Sequence, residues 1–306
     1  MNKYKEVYIL GIGGSGMSSI AKYLVQQNID VAGYDQRKSF ITNQLNQDGI
    51  KVDFNLSNLK YSKKILYIYS SAISINETTL KDYLDSDNVL SRPEFLNILS
   101  KENKIIGITG THGKTSTTAL LAHIFHYNER NVSYIFGGIT SFHGIGGHYG
   151  DQDQPIILET DEAFNTFKDI NIDDLLVTNI DIDHLDYFKN FKNLLNAFKH
   201  VIENVKGNLV LNFDDQNLRE LKTSNNCISY SSSEVADIQI QYPNKIIIEN
   251  EEYVVTTKLI GNHFISNIAG AIALAYLNGI KIEDSIEAVE TFPGVKRRTE
   301  YLGSIK

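Results

Sequence analysis

The chain has 306 residues, a formal net charge of −8 and one cysteine, and these features exclude several classes of protein. Its length allows about two domains, and 42% hydrophobic with 22% charged residues is ordinary for a soluble globular protein. The acidic balance argues against a general nucleic-acid or anionic-membrane surface, so we expect no nucleic-acid and no membrane partner. Cys227 has no second cysteine to pair with, which favours a reducing, cytoplasmic location. No apolar run approaches the ~18 residues of a membrane helix.

Strand and helix patterns alternate through residues 1–100, and this alternation predicts a parallel sheet. The predicted strands are 7–10, 30–34 and 64–71 with an extended piece at 52–54, and the predicted helices are 17–27, 41–48 and 94–100. The polar residues 101–104 precede a new apolar strand, so we place a boundary there. The predicted domains are therefore residues 1–100 and 101–306.

A complete G-x-G-x-x-G motif at residues 11–16 follows the first predicted strand and precedes the first predicted helix. Such a loop lets backbone N–H groups and a helix N-terminus hold a diphosphate. Asp35 ends the second predicted strand, where it would bond a ribose hydroxyl. The motif does not distinguish NAD from another nucleoside diphosphate. Glycines that serve only tight helix–strand packing are the alternative.

Residues 107–115 are the most informative stretch of the chain. They read Gly-Ile-Thr-Gly-Thr-His-Gly-Lys-Thr, between an apolar strand pattern and a predicted helix at 116–125, and this order predicts a phosphate-binding loop. Lys114 would reach the outer phosphates and the Thr115 hydroxyl would hold Mg²⁺. The general P-loop has a glycine where Ile108 stands, so the match is to a shorter loop. His112 either donates to a phosphate or shapes the turn. We expect the chain to bind a nucleoside triphosphate.

The alternation continues after this loop. Strands are predicted at 155–159, 174–178 and 209–213, helices at 191–203 and 266–277, a glycine-rich loop at 142–150 and a β-rich region over 227–260. Glu159 ends one of these strands, where open α/β sheets place ligand-facing residues. With a phosphate loop upstream, Glu159 and the adjacent Asp161 and Glu162 are candidates for the Mg²⁺ shell, although such a cluster is also typical of a solvated turn.

Several further residues have two interpretations each. His184 lies among carboxylates after a strand and is either a metal ligand, a water-positioning group or a structural histidine. Asn267 either reads adenine through its amide or caps the late helix. Arg297 and Arg298 clamp an anionic substrate or face solvent. The histidines at 143 and 148 lack a zinc-ligand spacing.

Taken together, the motifs resemble the Mur ligases over nearly the whole chain. The resemblance is carried by residues 11–17, 70–73, 92–94, 110–115, 159–162, 178–186, 261–267 and 294–298. It is most similar to members that join L-alanine to UDP-N-acetylmuramate, and to those that attach a preformed peptide to the same sugar. The resemblance implies an α/β fold, with a Rossmann-like N-terminal domain followed by a P-loop-type central domain. It also implies ATP-driven amide formation through an acyl phosphate, with ATP and Mg²⁺ bound, as a step of peptidoglycan synthesis.

The resemblance assigns roles to individual residues. UDP-N-acetylmuramate, rather than NAD, would contact Gly11, Gly13, Gly14, Ser15, Gly16, Met17, Asp35, Ser70, Ser71, Arg92 and Arg298. ATP would contact Gly110, Thr111, His112, Gly113, Lys114, Thr115, Ser116 and Asn267. Mg²⁺ would be held by Thr115, Glu159 and His184, and the catalytic residues would be Lys114, Glu159 and His184.

Three features depart from the family pattern. A hydroxyl and a carboxylate are replaced by Ala163 and Phe164, and an adenine-side asparagine by Phe264. Family members also carry a C-terminal domain that binds the amino acid, and we expect residues 1–306 to lack it, so that they bind nucleotides without ligating. Because of these departures, the alternative that the chain is a catalytically silent module that binds a UDP-sugar or another nucleotide stays open. An NAD oxidoreductase is a weaker alternative, because it leaves the second phosphate loop unexplained.

Overall fold

The computed structural model describes residues 4–140, 144–183, 185–221, 226–296 and 298, and it contains two β-sheets. The N-terminal sheet comprises β1 (Glu6–Leu10), β2 (Asp30–Tyr34), β3 (Lys51–Asp53), β4 (Ile65–Tyr69) and β5 (Val89–Ser91). Its helices are α1 (Ser15–Val25), α2 (Phe40–Gln47) and α3 (Arg92–Glu102), and short 3₁₀ turns lie at Leu56–Asn58, Ile75–Glu77 and Lys81–Tyr83.

All five strands of the N-terminal sheet are parallel, in the order β3-β2-β1-β4-β5. The prediction of a parallel α/β unit is therefore confirmed. The strand order reverses between β1 and β4, and ligands of open α/β sheets bind at the carboxyl ends of the strands at such a reversal. The glycine motif leaves β1 at this point and enters α1 at Ser15.

The second sheet follows α3 almost directly. Its strands are β6 (Ile105–Thr109), β7 (Ser133–Thr140), β8 (Gly144–His148), β9 (Ile156–Glu159), β10 (Asp174–Val177), β11 (Leu209–Asn212), β12 (Cys227–Ser231), β13 (Ile238–Gln241), β14 (Lys245–Ile248) and β15 (Glu251–Val254). Its helices are α4 (Lys114–Tyr127), α5 (Leu185–Phe188), α6 (Phe191–Glu203), α7 (Gln216–Glu220), α8 (Asn262–Leu277) and α9 (Ile282–Thr291), with a 3₁₀ segment at Ala163–Asp169.

These strands pair in the order β15-β14-β13-β12-β11-β10-β6-β9-β7-β8. The run from β13 to β7 is parallel, and antiparallel strands close both edges. The central strand β6 is buried at every position, as expected for a strand covered on both faces. Helices α4 and α8 share one apolar cluster on one side of this sheet. The phosphate loop leaves β6 at the carboxyl edge and enters α4.

The glycine-rich segment at 142–150 is not the loop that its composition predicts. Its described part contains the strand β8, which pairs with β7 and packs on helix α1 of the first sheet. A Cβ atom at Gly147 would lie 2.0 Å from the Ser19 carbonyl oxygen, so the backbone of β8 approaches the helix as only glycine allows. The Ser19 hydroxyl donates a hydrogen bond of 2.6 Å to the carbonyl of Phe136 on β7. The hairpin therefore joins the two sheets.

Two other boundaries differ from the predictions. Strand β7 was not predicted, because its paired glycines interrupt the alternation of apolar residues. Helix α8 begins at Asn262, four residues before the predicted start at Ser266. The first turn of α8 packs Phe264 and Ile265 into the core, so tertiary packing extends the helix beyond its clear sequence pattern.

We expect Gly147→Ala to destabilise the junction between α1 and the hairpin. The added methyl group clashes with backbone rather than with a flexible side chain, and overpacking of this kind costs about 1–3 kcal/mol of unfolding free energy. Thermal unfolding would measure the loss. The control is Val235→Ala at a side chain that is 94% exposed, for which we expect a change within about 0.5 kcal/mol. Unchanged stability in the Gly147 variant would contradict the close packing.

Candidate functional site

Two helix N-termini, those of α1 and α4, open onto one pocket of about 430 Å³. The pocket lies at the carboxyl edges of both sheets, where sequence reasoning places the ligands. Among the residues that line it, those predicted as site residues are Ser15, Gly16, Arg92, Thr111, His112, Gly113, Lys114, Glu159 and Arg298. Residues that the sequence assigns to two different nucleotides thus share one cavity.

The first glycine loop takes its shape from side chains around it. Gly11 has a φ of +81°, and a Cβ there would lie 3.1 Å from the Ser70 Cβ. Both the backbone conformation and this tight contact therefore favour glycine at the position. The backbone N–H of Gly13 donates to a carboxylate oxygen of Asp35 at 2.8 Å. Asp35 therefore holds the loop, and a ribose hydroxyl would have to use the remaining lone pairs of that carboxylate. Ser71 lies exposed next to Ser70.

The N-terminus of α1 is suited to an anion. Its N-cap is Gly14, which provides no side-chain cap, and the first turn contains no acidic residue. The guanidinium of Arg92 lies against Gly16, where a Cβ would come within 3.0 Å of its Cζ. The Arg92 Nε is buried with no hydrogen-bond partner among the described residues. A phosphate oxygen here would meet both the helix N-terminus and an unsatisfied cationic donor.

The second loop also requires its glycines. Gly110 has a φ of +130°, and a Cβ there would lie 2.2 Å from the Thr178 hydroxyl oxygen. Gly113, with a φ of +86°, is the N-cap of α4. The Thr178 hydroxyl donates to the His112 carbonyl at 2.6 Å, and the Asn179 side chain accepts from the His112 N–H at 2.8 Å. These two residues after β10 hold the loop in shape, a role that no local sequence pattern indicated.

Lys114 is held by its own loop and by a buried acid. Its Nζ donates to the carbonyl oxygens of Gly110 at 2.7 Å and Thr111 at 3.3 Å, and to both carboxylate oxygens of Glu162 at 3.0 and 2.8 Å. The Glu162 side chain is 1% exposed. Burial raises the pKa of its carboxyl group, and the adjacent Lys114 charge opposes that rise. The structure thus places Glu162 on the lysine, whereas the sequence suggested either a metal-shell acid or part of a solvated turn.

Thr115 and Glu159 form a second pair beside the first. The Thr115 hydroxyl donates to one Glu159 carboxylate oxygen at 2.6 Å, and the backbone N–H of Gly137 on β7 donates to the other. Hydroxyl and carboxylate oxygens next to a phosphate loop are the ligands that Mg²⁺ prefers, and this ion keeps several waters. These two oxygen donors fit Mg²⁺, whereas transition metals prefer nitrogen and sulfur ligands.

Asn267 lies beside the second loop. A Cβ at Gly113 would come within 2.9 Å of its side-chain oxygen. It lies inside α8, whose N-cap is Gly261, so Asn267 does not cap this helix. Phe264 is 5% exposed and belongs to the core between α4 and α8. Its replacement of a polar residue therefore has a packing role.

The structure gives fewer contacts for the remaining predicted site residues, and some of them lie outside the described residues. Ser116 lies in the first turn of α4 and Met17 is buried in the first turn of α1. Arg298 lines the pocket, and its segment is tied to β7 by the bridge between Thr140 and Val295. His184, Arg297 and the side chain of Phe164 lie outside the described residues. No described helix is long and apolar enough to cross a membrane.

Two segments of the chain match Mur ligase domains. Residues 108–275 match the Mur ligase middle domain, and residues 6–104 match the catalytic domain of the Mur ligase family. Curated UDP-N-acetylmuramate–L-alanine ligases from Cytophaga hutchinsonii and a Hydrogenobaculum species are 30% and 31% identical to this chain in alignments that span 319 positions including gaps. The alignments cover 97% and 98% of this chain and 68% and 70% of those proteins.

Solved structures show the same fold. A UDP-N-acetylmuramate–alanine ligase from Thermotoga maritima superposes with a TM-score of 0.85 at 23% identity, over 98% of this chain and 71% of that one. A UDP-N-acetylmuramate:L-alanyl-γ-D-glutamyl-meso-diaminopimelate ligase from Neisseria meningitides superposes with a TM-score of 0.84 at 22% identity, over 96% of this chain and 100% of that one. The predicted fold class is confirmed.

Replacing Lys114 by methionine should lower both nucleotide affinity and stability. The lost charged contact to an outer phosphate is worth about 1.5–3 kcal/mol, or roughly ten- to a hundredfold in the Kd of ATP. The substitution also removes the opposite charge from the buried Glu162, which costs on the order of 3 kcal/mol of unfolding free energy. Calorimetric titration with ATP and thermal unfolding measure the two effects.

The matched control is the double variant Lys114→Met with Glu162→Gln. It should recover most of the stability, because no buried carboxylate loses its partner, and it should still bind ATP weakly. A single Lys114→Met variant that binds ATP like the unaltered chain would show that this loop has only a structural role.

Proposed function

This chain belongs to the Mur ligase family, and from that premise we propose that it joins L-alanine to UDP-N-acetylmuramate with consumption of ATP. The observation that carries the proposal is the single pocket onto which both helix N-termini open. A diphosphate on α1 and a triphosphate on α4 would meet in it, so that groups attached to each come within reach. A module that binds one nucleotide would not need two phosphate-binding loops that open onto the same pocket.

The UDP moiety would bind at the N-terminal sheet. The uncapped N-terminus of α1 and the unsatisfied Arg92 Nε suit the diphosphate, and Asp35 and Ser70 line the glycine loop beside it. The sugar would then extend from Ser15 toward Gly137, which lies next to it on β7. This direction carries the lactyl carboxylate of the sugar toward the second loop.

ATP would bind the second loop through backbone N–H groups, with Lys114 on the outer phosphates and Asn267 on the nucleoside side. Thr115 and Glu159 would hold Mg²⁺, which supplies positive charge to the phosphate oxygens when bound. A third contribution from His184 stays a prediction. A cytoplasmic location and the domain boundary at residue 100 also stay predictions.

The reaction that suits this arrangement has two steps. The lactyl carboxylate attacks the γ-phosphorus and releases ADP, giving an acyl phosphate, and the amine of L-alanine then displaces phosphate to form the amide. The residues of this chain act by holding the two substrates in line and by placing Lys114, Arg92 and Arg298 near the phosphates. Positioning of this kind can supply ~7–11 kcal/mol of barrier reduction.

A second candidate is ligation of a preformed peptide to the same sugar. It is supported by the fold likeness to the Neisseria meningitides ligase, whose name includes a tripeptide as a substrate. The residues that bind UDP and ATP would be the same in both activities. The amine substrate alone distinguishes them.

We expect UDP-N-acetylmuramate and UDP to bind residues 1–306 more tightly than NAD. The expectation follows from Ser70 and Arg92, which lie against Gly11 and Gly16 of the first glycine loop and suit a diphosphate joined to a sugar, and calorimetric titration measures it. Arg92→Ala should weaken UDP by roughly tenfold or more and leave the Kd of ATP unchanged. Binding of NAD without binding of UDP would contradict the assignment of the site at the N-terminus of α1 to UDP-N-acetylmuramate.

Phosphate release from ATP tests the reaction itself. With UDP-N-acetylmuramate present, phosphate release by the natural protein should depend on L-alanine and not on L-alanyl-γ-D-glutamyl-meso-diaminopimelate. The reverse dependence would favour the second candidate. The expectation that residues 1–306 alone bind nucleotides without ligating is measured in the same assay, and robust turnover by them would contradict it. Binding of both nucleotides with no amine-dependent release by any form would favour the silent binding module.

A further inference from the structure

Glu162 uses the one Lys114 donor that the loop leaves available. A lysine ammonium has three donors. In the structure two of them meet the carbonyl oxygens of Gly110 and Thr111, and the third meets the Glu162 carboxylate. Every donor of the lysine that should bind an outer phosphate is therefore engaged by the protein itself.

The three acceptors differ in how easily they can be replaced. Gly110 is fixed by its positive φ and by its contact with Thr178, and the Thr111 N–H is bonded to the Asn179 carbonyl at 3.0 Å. Both carbonyls thus belong to a loop held in place from the β10 side. Glu162 belongs to a different segment, the one that follows β9, and it reaches the lysine through its side chain. A phosphate oxygen can displace that side chain without unfolding the loop.

We propose that Glu162 is the positioning residue of Lys114, and that an outer phosphate of the bound nucleoside triphosphate replaces its carboxylate on the lysine ammonium. The proposal rests on the proposed function only for the identity of the nucleotide. Glu162 holds the lysine over the loop, and its negative charge competes with the phosphate for the same donor. Triphosphate binding is therefore an exchange of one anion for another at Lys114.

The neighbouring acids separate this role from that of a metal ligand. Glu159, three residues earlier, is engaged by Thr115 and Gly137 rather than by the lysine. Asp161 lies 3.8 Å from the lysine Nζ, beyond hydrogen-bond distance, and its side chain is 35% exposed. Among these three acids, Glu162 alone is hydrogen-bonded to Lys114 and buried from solvent.

The test is the affinity of Glu162→Gln for nucleotides. An amide oxygen is a weaker competitor than a carboxylate for an ammonium donor, so we expect the Kd of ATP to fall by about tenfold, the difference between a charged and a neutral hydrogen bond. ADP lacks the outermost phosphate, and its Kd should fall by no more than about threefold. Isothermal titration calorimetry of residues 1–306 with ATP and with ADP measures both. A side chain with only a structural role would not raise affinity when it is replaced.

Two controls remove one negative charge elsewhere. Asp161→Asn does so near the same nitrogen without breaking a hydrogen bond, and screening by solvent should limit its effect to less than about threefold. Glu203→Gln does so on the exposed end of α6, where the ion pair with Lys199 lies at 3.8 Å, and it should leave both affinities unchanged. An equal gain in all three variants would reduce the effect to net charge and overturn the proposal.

The other outcomes are also decisive. If folded Glu162→Gln binds ATP no more tightly than the unaltered chain does, the inference about Glu162 is wrong. The proposed function is still supported in that case, provided that the unaltered chain binds ATP. If the unaltered chain binds no ATP, both fail. Should Glu162→Gln not fold, Glu162→Asp keeps the charge and shortens the side chain by one methylene. It should then shift the Kd of ATP in the same direction by a smaller factor, and an unshifted Kd would overturn the inference.

Discussion

The close packing of helix α1 on the β7–β8 hairpin is the contact on which both proposed nucleotide sites depend. The backbone of β8 approaches the α1 backbone closely at Gly147, which has no side chain, and the Ser19 hydroxyl bonds directly to the Phe136 carbonyl. The distance between the α1 N-terminus and β7 is therefore set by close main-chain packing together with one short side-chain hydrogen bond. The next residue on β7, Gly137, lies beside Ser15 and holds the Glu159 carboxylate. Two hydrogen bonds on one strand thus connect helix α1 to the Glu159 carboxylate, which accepts from Thr115 beside the second loop.

The end of β9 and the segment after it provide acids to the first two residues of α4. Lys114 is held by Glu162 and Thr115 by Glu159, so the phosphate loop is shaped from one side by carboxylates and from the other by Thr178 and Asn179. Burying a carboxylate such as Glu162 is costly unless it is paired and hydrogen-bonded. The lysine meets that need with two short contacts. Burial therefore favours a single arrangement of the lysine before any phosphate arrives, which is the preorganisation that charge stabilisation requires.

Periodicity and glycine spacing predicted most of the architecture, because those signals are local. Helix α6 has its predicted bounds, and both glycine loops connect a strand to a helix as expected. The hairpin that joins the sheets was missed, since its glycines erase the alternation from which strands are recognised. The partner of Glu162 was also not predictable from the sequence, because it lies 48 positions away, beyond the end of the neighbouring strand β6. Local chemistry identified the residues at the site, whereas long-range packing determined which of them meet.

The electrostatic balance of the pocket indicates how two polyanions could be held by an acidic protein. With a net charge of −8 the chain as a whole does not attract them. The described charged side chains in or next to the pocket are balanced, with three cations and three carboxylates: Arg92, Lys114, Arg298, Glu159, Asp161 and Glu162. Net attraction would then come from the backbone N–H groups of two helix N-termini and from a divalent cation, were one held by Thr115 and Glu159. Exchange at Glu162 opposes part of this attraction, because its carboxylate competes with the phosphate for the Lys114 ammonium.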